Sequence, residues 1–127
     1  MANSYRELKV WQNSIDLAKK IYRLTSSFPA SEIYGLVSQL RRASVSIPSN
    51  IAEGWGRHSR KEYARFILMA AGSNDELQTQ LVIAERLAFG DRQLRDEAAA
   101  LSDQIGRMLQ GLHKFLQRPR CASTPST

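Results

Sequence analysis

Apolar residues recur along this chain at intervals of three and four, and that period predicts helices throughout and no strands. Near the start, Leu8, Trp11, Ile15, Ala18 and Tyr22 form one stripe, and Val10, Leu17, Ile21 and Leu24 form a second beside it. Together they cover roughly 200° of a first helix, against the ~100° that one buried face needs. Ser4-Tyr5-Arg6-Glu7 reads as a capping box opening this helix, and Phe28-Pro29 ends it because proline cannot continue the hydrogen-bond ladder. A second helix, from Ser31 or Glu32, buries Ile33, Leu36, Leu40, Ala43, Ile47 and Ile51. It closes at Gly54-Trp55-Gly56, where either glycine suits the left-handed terminal position. Pro48 lies inside it at an unrelieved cost of about 3 kcal/mol, so a kink is expected, with Ser44, Ser46 and Ser49 re-satisfying freed backbone groups.

Ser59-Arg60-Lys61-Glu62 is a further capping box and opens the third and longest helix. Its main face is Tyr63, Phe66, Ile67, Ala70, Leu77, Leu81, Ala84 and Ala88, and the run from Phe66 to Ala71 is apolar all round. Gly72-Ser73-Asn74-Asp75 interrupts the pattern, more as a local weakness than as a break, and Phe89-Gly90 ends the helix. A fourth helix from about Asp91 to Leu116 carries Leu94, Ala98, Leu101, Ile105, Met108, Leu112 and Phe115 on one stripe. Four helices with short links make an all-α, up-down-up-down four-helix bundle over residues 1–116 with a proline-kinked second helix. Residues 117–127 are polar with two prolines and are expected to be disordered.

A chain of 127 residues can bury one core unaided, and its one cysteine, Cys121, offers no disulfide framework. Charges interrupt the N-terminus where a signal peptide needs an apolar core, and no apolar run reaches the roughly 20 residues of a membrane span. A cytoplasmic protein with no membrane partner is the expectation. The two stripes of the first helix and the all-round apolar run of the third exceed what one bundle interior uses. Self-association through Leu17, Ile21, Leu24, Leu68 and Met69 would cover that surplus.

Net charge is +6, unevenly spread: residues 41–65 hold six Arg or Lys against two Glu, and residues 66–116 are faintly acidic. Such a division suits a polyanion partner or head-to-tail packing of copies. The basic group Arg41, Arg57, Arg60, Lys61 and Arg65, with Trp55 and His58 among them, is the functional candidate. Arginines can fork onto phosphates, and a tryptophan can stack on an unpaired base. A second set, Gln39, Arg42, Ser46, Asn50 and Glu53, falls within an arc of about 80° on the second helix. It reads as a structural network in which half-buried Arg42 takes a carboxylate from Glu53 or from Glu76 on the third helix. Nothing frames a nucleophile, a phosphate-binding loop, a cofactor or a metal site, with only His58 and His113 available as imidazoles. An enzyme is not expected.

Three runs carry a family resemblance: Y-R-E-L-K-V-W-Q over residues 5–12, Y-G-L-x-S-Q-L-R-R-A-x-x-S-I-P-S-N-I-A-E-G over residues 34–54, and A-x-G-S-x-x-E-L-x-T-Q-L over residues 70–81. With Phe28-Pro29, they resemble the four-helix-bundle proteins encoded in 23S ribosomal RNA intervening sequences. The resemblance covers roughly residues 5–90, with the fourth helix and tail matching only in type. That family is similar in fold to the accessory variability protein of diversity-generating retroelements, a barrel-shaped homopentamer associated with RNA and a reverse transcriptase. The resemblance implies a homopentamer, association of the basic surface with RNA or single-stranded nucleic acid, and, more distantly, a reverse-transcriptase partner. It brings no catalytic residues. Asn74-Asp75 departs from it, standing where an apolar residue is usual.

Overall fold

The computed structural model describes residues 3–119, and within them the chain is four helices: α1 (Lys9–Thr25), α2 (Leu36–Trp55), α3 (Arg60–Arg86) and α4 (Arg92–Gln117). Each packs against the next and α1 closes the square against α4, the antiparallel bundle that the periodicity predicts. The expected disorder of 117–127 falls mostly outside the described residues; Gln117 is the last residue of α4.

Square packing explains the breadth of the apolar face on α1. A corner helix touches two neighbours, and the stripe of Val10, Leu17, Ile21 and Leu24 is buried within one chain, whereas Leu8, Trp11, Ile15 and Ala18 are half-buried and Tyr22 is exposed. Leu17, Ile21 and Leu24 are all 0% exposed, in one cluster with Leu40, Ile47, Ile51, Ile67, Leu77, Ile105 and Leu109. This corrects the expectation that those three α1 residues form an oligomer interface: α2 and α4 already cover them. On α3, Leu68 and Met69 remain 54% and 44% exposed, so the all-round apolar run there is not used up by the bundle. The buried face of α4 is also turned from the predicted stripe. Ala98, Ser102, Ile105, Leu109 and Leu116 are buried, whereas Phe115 is 51% exposed.

The links depart from expectation where capping chemistry competes with helix propagation. Ser4 caps a single 3-10 turn, Tyr5–Glu7, by accepting from the Arg6 amide at 3.1 Å, and the α-helix starts only at Lys9. Past α1, Ala30–Glu32 forms another 3-10 turn and leaves Ile33 56% exposed, so Ile33 is not a core residue. Glu32 Oε1 then accepts from the Leu36 amide at 3.1 Å and opens α2. The helix runs unbroken through Pro48. Ser44 Oγ donates to the Arg41 carbonyl and Asn50 Nδ2 to the Ser46 carbonyl, so Ser44 does not serve the group that proline frees.

Neither glycine at the end of α2 is left-handed: Gly56 has φ −79°. Gly54 serves close approach instead, since a Cβ there would lie 2.7 Å from Phe66 Cβ on α3. The left-handed residue falls after α3, at Ala88 (φ 58°), where the Phe89 amide donates to the Ala84 carbonyl and the Ala88 amide to that of Glu85. This is a Schellman ending built on alanine instead of glycine. Gly90 (φ 77°) then turns the chain tightly over Leu24 and Phe28, and Asp91 caps α4 by accepting from the Leu94 amide.

Asn74 settles the middle of α3. It is 1% exposed, donates through Nδ2 to the Ser102 carbonyl at 3.0 Å, and accepts from Ser102 Oγ at 2.7 Å. A polar pair whose bonds are made within the core replaces the apolar residue that the family pattern suggests.

Candidate nucleic-acid interface

The antiparallel course brings the end of α2, the start of α3 and the end of α4 to one pole of the bundle, with Trp55, Arg57, His58, Arg60, Lys61 and Arg65. Arg41 is not among them. It lies 14 residues before Trp55, the last residue of α2, about 21 Å away along the axis. Its guanidinium bonds Thr25 Oγ1 at 2.9 Å and covers the Tyr22 ring at 4.5 Å, tying α2 to the end of α1. The sequence clustered Arg41 with the others only by counting.

At the pole, most guanidiniums are engaged within the chain. Arg57 pairs with Glu53 at 2.8 Å and Arg65 with Glu62 at 3.1 Å, and both sit over the Phe66 ring, at 4.6 and 4.9 Å. Phe66, 5% exposed, is thus roofed by cations. Arg60 donates to the Phe115 carbonyl at 2.6 Å and covers the Phe115 ring at 4.8 Å, fastening the start of α3 to the last turns of α4. Trp55 stands edge-on to Tyr63, with ring centroids 6.1 Å apart and only part of the indole open. Lys61 and His58 are exposed, and neither makes an ion pair among the described residues. The Arg65 guanidinium, by hydrogen bond and by charge, holds the Glu62 carboxyl below its ordinary range, whereas burial raises the Tyr63 hydroxyl.

Sequence reading missed what α4 adds: His113, Lys114, Leu116, Gln117 and Arg118 reach the same pole. Lys61, Glu62, Ala64, Arg65 and Leu68 of α3 and His113, Leu116 and Gln117 of α4 line a groove of about 650 Å³. The antiparallel order of the helices was the available signal, because it puts the end of α4 beside the start of α3. Further along the same α3–α4 seam, Glu85, Asp96 and Asp103 stand with Arg95, and Asp96 and Asp103 pair with Arg92 and Arg107, so charge there is mixed.

The polar set on α2 is only partly a network. Ser46 Oγ meets Ser73 Oγ at 2.8 Å, Asn50 Nδ2 meets Ser46 Oγ at 3.0 Å, and Gln80 Nε2 meets Gln39 Oε1 at 3.5 Å and Glu76 Oε2 at 3.3 Å. Arg42 is exposed and makes no ion pair among the described residues, so neither Glu53 nor Glu76 serves it; Glu53 goes to Arg57 instead. An exposed arginine is satisfied by water and needs no carboxylate.

Among the described residues no group of three His, Cys, Asp or Glu could hold a metal ion, and no helix is long and apolar enough to cross a membrane. Fold and site together define an all-α four-helix bundle with a basic pole. The family model for the 23S rRNA-intervening sequence protein matches residues 6–111, and the chain belongs to that family. Its fold is similar to the crystal structure of a protein of unknown function from the S23 ribosomal protein family of Bacteroides thetaiotaomicron. The TM-score is 0.75 and the identity 23%, over 83% of this chain and 98% of that one. No curated protein matches the chain.

Proposed function

We propose that this protein is a non-enzymatic, self-associating bundle of the cytoplasm whose basic pole binds nucleic acid, RNA in the first place, and which requires no cofactor. The observation that carries the reading is the gathering of Arg57, Arg60, Lys61, Arg65, Lys114 and Arg118 at one end, against Glu53 and Glu62. The family name, with its reference to 23S rRNA, supports RNA as the first polyanion to try. Self-association is supported by Met69, Ile83 and Leu87, each at least 44% exposed on the α2 side of α3. Five copies is the number that the family resemblance implies.

Phosphate contacts make affinity fall linearly on a log–log plot against salt, with a slope of about −0.7 per contact for single strands. The test is a salt titration with Lys61→Glu and Lys114→Glu. Both residues are exposed and outside the ion pairs, so binding should be lost at an unchanged melting temperature. Retained binding, or a flat salt response, removes the reading. A second reading, a protein-interaction scaffold or accessory subunit (for example to a reverse transcriptase) without nucleic-acid contact, is favoured by Arg57 and Arg65 being already paired within the chain. It gains if the charge reversals change oligomer state and leave nucleic acid unbound in both forms.

A further inference from the structure

We infer that the groove between the start of α3 and the end of α4 is a nucleotide pocket that takes an unpaired base from single-stranded nucleic acid, with Lys61 and Arg65 on the flanking phosphates. The inference rests on the nucleic-acid reading above and names the form of nucleic acid that the pole selects. The pole could meet a duplex with charge alone, and a flat cationic surface would suffice. What lies beside the cations is concave, at about 650 Å³, within the roughly 300–1,000 Å³ of small-ligand clefts. Its walls divide by chemistry. Ala64, Leu68 and Leu116 give an apolar floor, and Leu68, 54% exposed, is open to a ligand in the groove.

Lys61 and Arg65 stand one turn apart on the same face of α3, and His113 faces them from α4. An imidazole offers a ring on which a base can stack, and Gln117 offers an amide for its polar edge. Lys61 is free of any carboxylate among the described residues, while Glu62 restrains Arg65 at 3.1 Å. A phosphate would compete for that guanidinium. A duplex keeps its bases stacked inside and cannot fill the floor, so only an unpaired strand satisfies apolar and cationic walls together.

The test compares a 12-nucleotide oligoadenylate carrying one 2-aminopurine with a hairpin duplex of equal phosphate number, at one salt concentration. The single strand should bind at least about tenfold tighter, with a change in 2-aminopurine fluorescence on binding. Leu68→Gln and, separately, His113→Ala should bring single-strand affinity down to that of the duplex while leaving duplex affinity and melting temperature unchanged. Lys61→Ala should weaken both probes and lower the salt slope by about one. Equal binding of both probes, or a single-strand preference that survives Leu68→Gln and His113→Ala, overturns the pocket and leaves the basic pole standing. Binding of neither probe overturns both.

Discussion

Single residues decide the sharpest turn in the chain. Ala88 occupies a left-handed position that costs an L-residue roughly 1–2 kcal/mol and glycine almost nothing. Ala88→Gly should raise unfolding stability by about 0.5–1 kcal/mol in a urea titration, the gain being trimmed by glycine's looser unfolded state. Gly90→Ala should do the reverse and cost about 1–3 kcal/mol, because the new Cβ would meet Leu24 Cδ1 at 2.7 Å and Phe28 Cε1 at 2.8 Å. Sequence marks Gly90 as a terminator but carries no sign that Ala88 does the left-handed work, since alanine is the commonest helix former. Asn74 was similarly opaque: its partner, Ser102, lies 28 residues away on α4. Asn74→Ala should cost about 1–3 kcal/mol by stranding Ser102, and Ser102→Ala in the same chain should recover part of it.

At the scale of elements, the third and fourth helices are joined at the pole by Arg60, which both bonds and covers Phe115. Arg60→Ala should loosen the last two turns of α4, speeding hydrogen exchange there by about tenfold while the α1 amides keep their protection. The helices themselves were legible because a 3.6-residue period is local, and one window of sequence contains it. What lay beyond the sequence was how each helix is rotated about its axis. Periodicity runs the α4 stripe through Phe115, whereas contact with α1 and α3 buries Leu109 and Leu116. The basic residues are all visible as letters, but only the course of α2 sets Arg41 at the opposite end of the bundle from Arg57. For the same reason the α4 contribution to the groove went unseen.

The whole molecule is governed by charge at one pole and by exposed apolar surface along α3, and each has its own readout. Glu62 is the charge most easily tuned. Its folded pKa lies below the ordinary 4.5, first through the Arg65 hydrogen bond and then through that cation's charge. Its contribution to stability is therefore present above pH 4.5 and is lost as pH falls through the depressed value. Glu62→Gln should flatten the acid limb of a melting-temperature profile in that window and, by releasing Arg65, tighten polyanion binding at neutral pH.

The proposed self-association is tested separately from folding, because the structure divides the apolar residues that the sequence grouped together. Leu17 is sealed inside one chain, so Leu17→Ala should lower monomer stability by about 2–5 kcal/mol. Met69, Ile83 and Leu87 share one side of α3, on the i, i+14, i+18 spacing that also brings Ser73 and Gln80 to α2. Nothing in the bundle needs them covered. Ile83→Lys should therefore reduce the mass seen by light scattering to that of one chain with little change in the unfolding free energy per chain. If Ile83→Lys leaves the mass unchanged while Leu17→Ala dissociates the particle, the copies meet through a face other than α3, and the exposed row must be explained by a different partner.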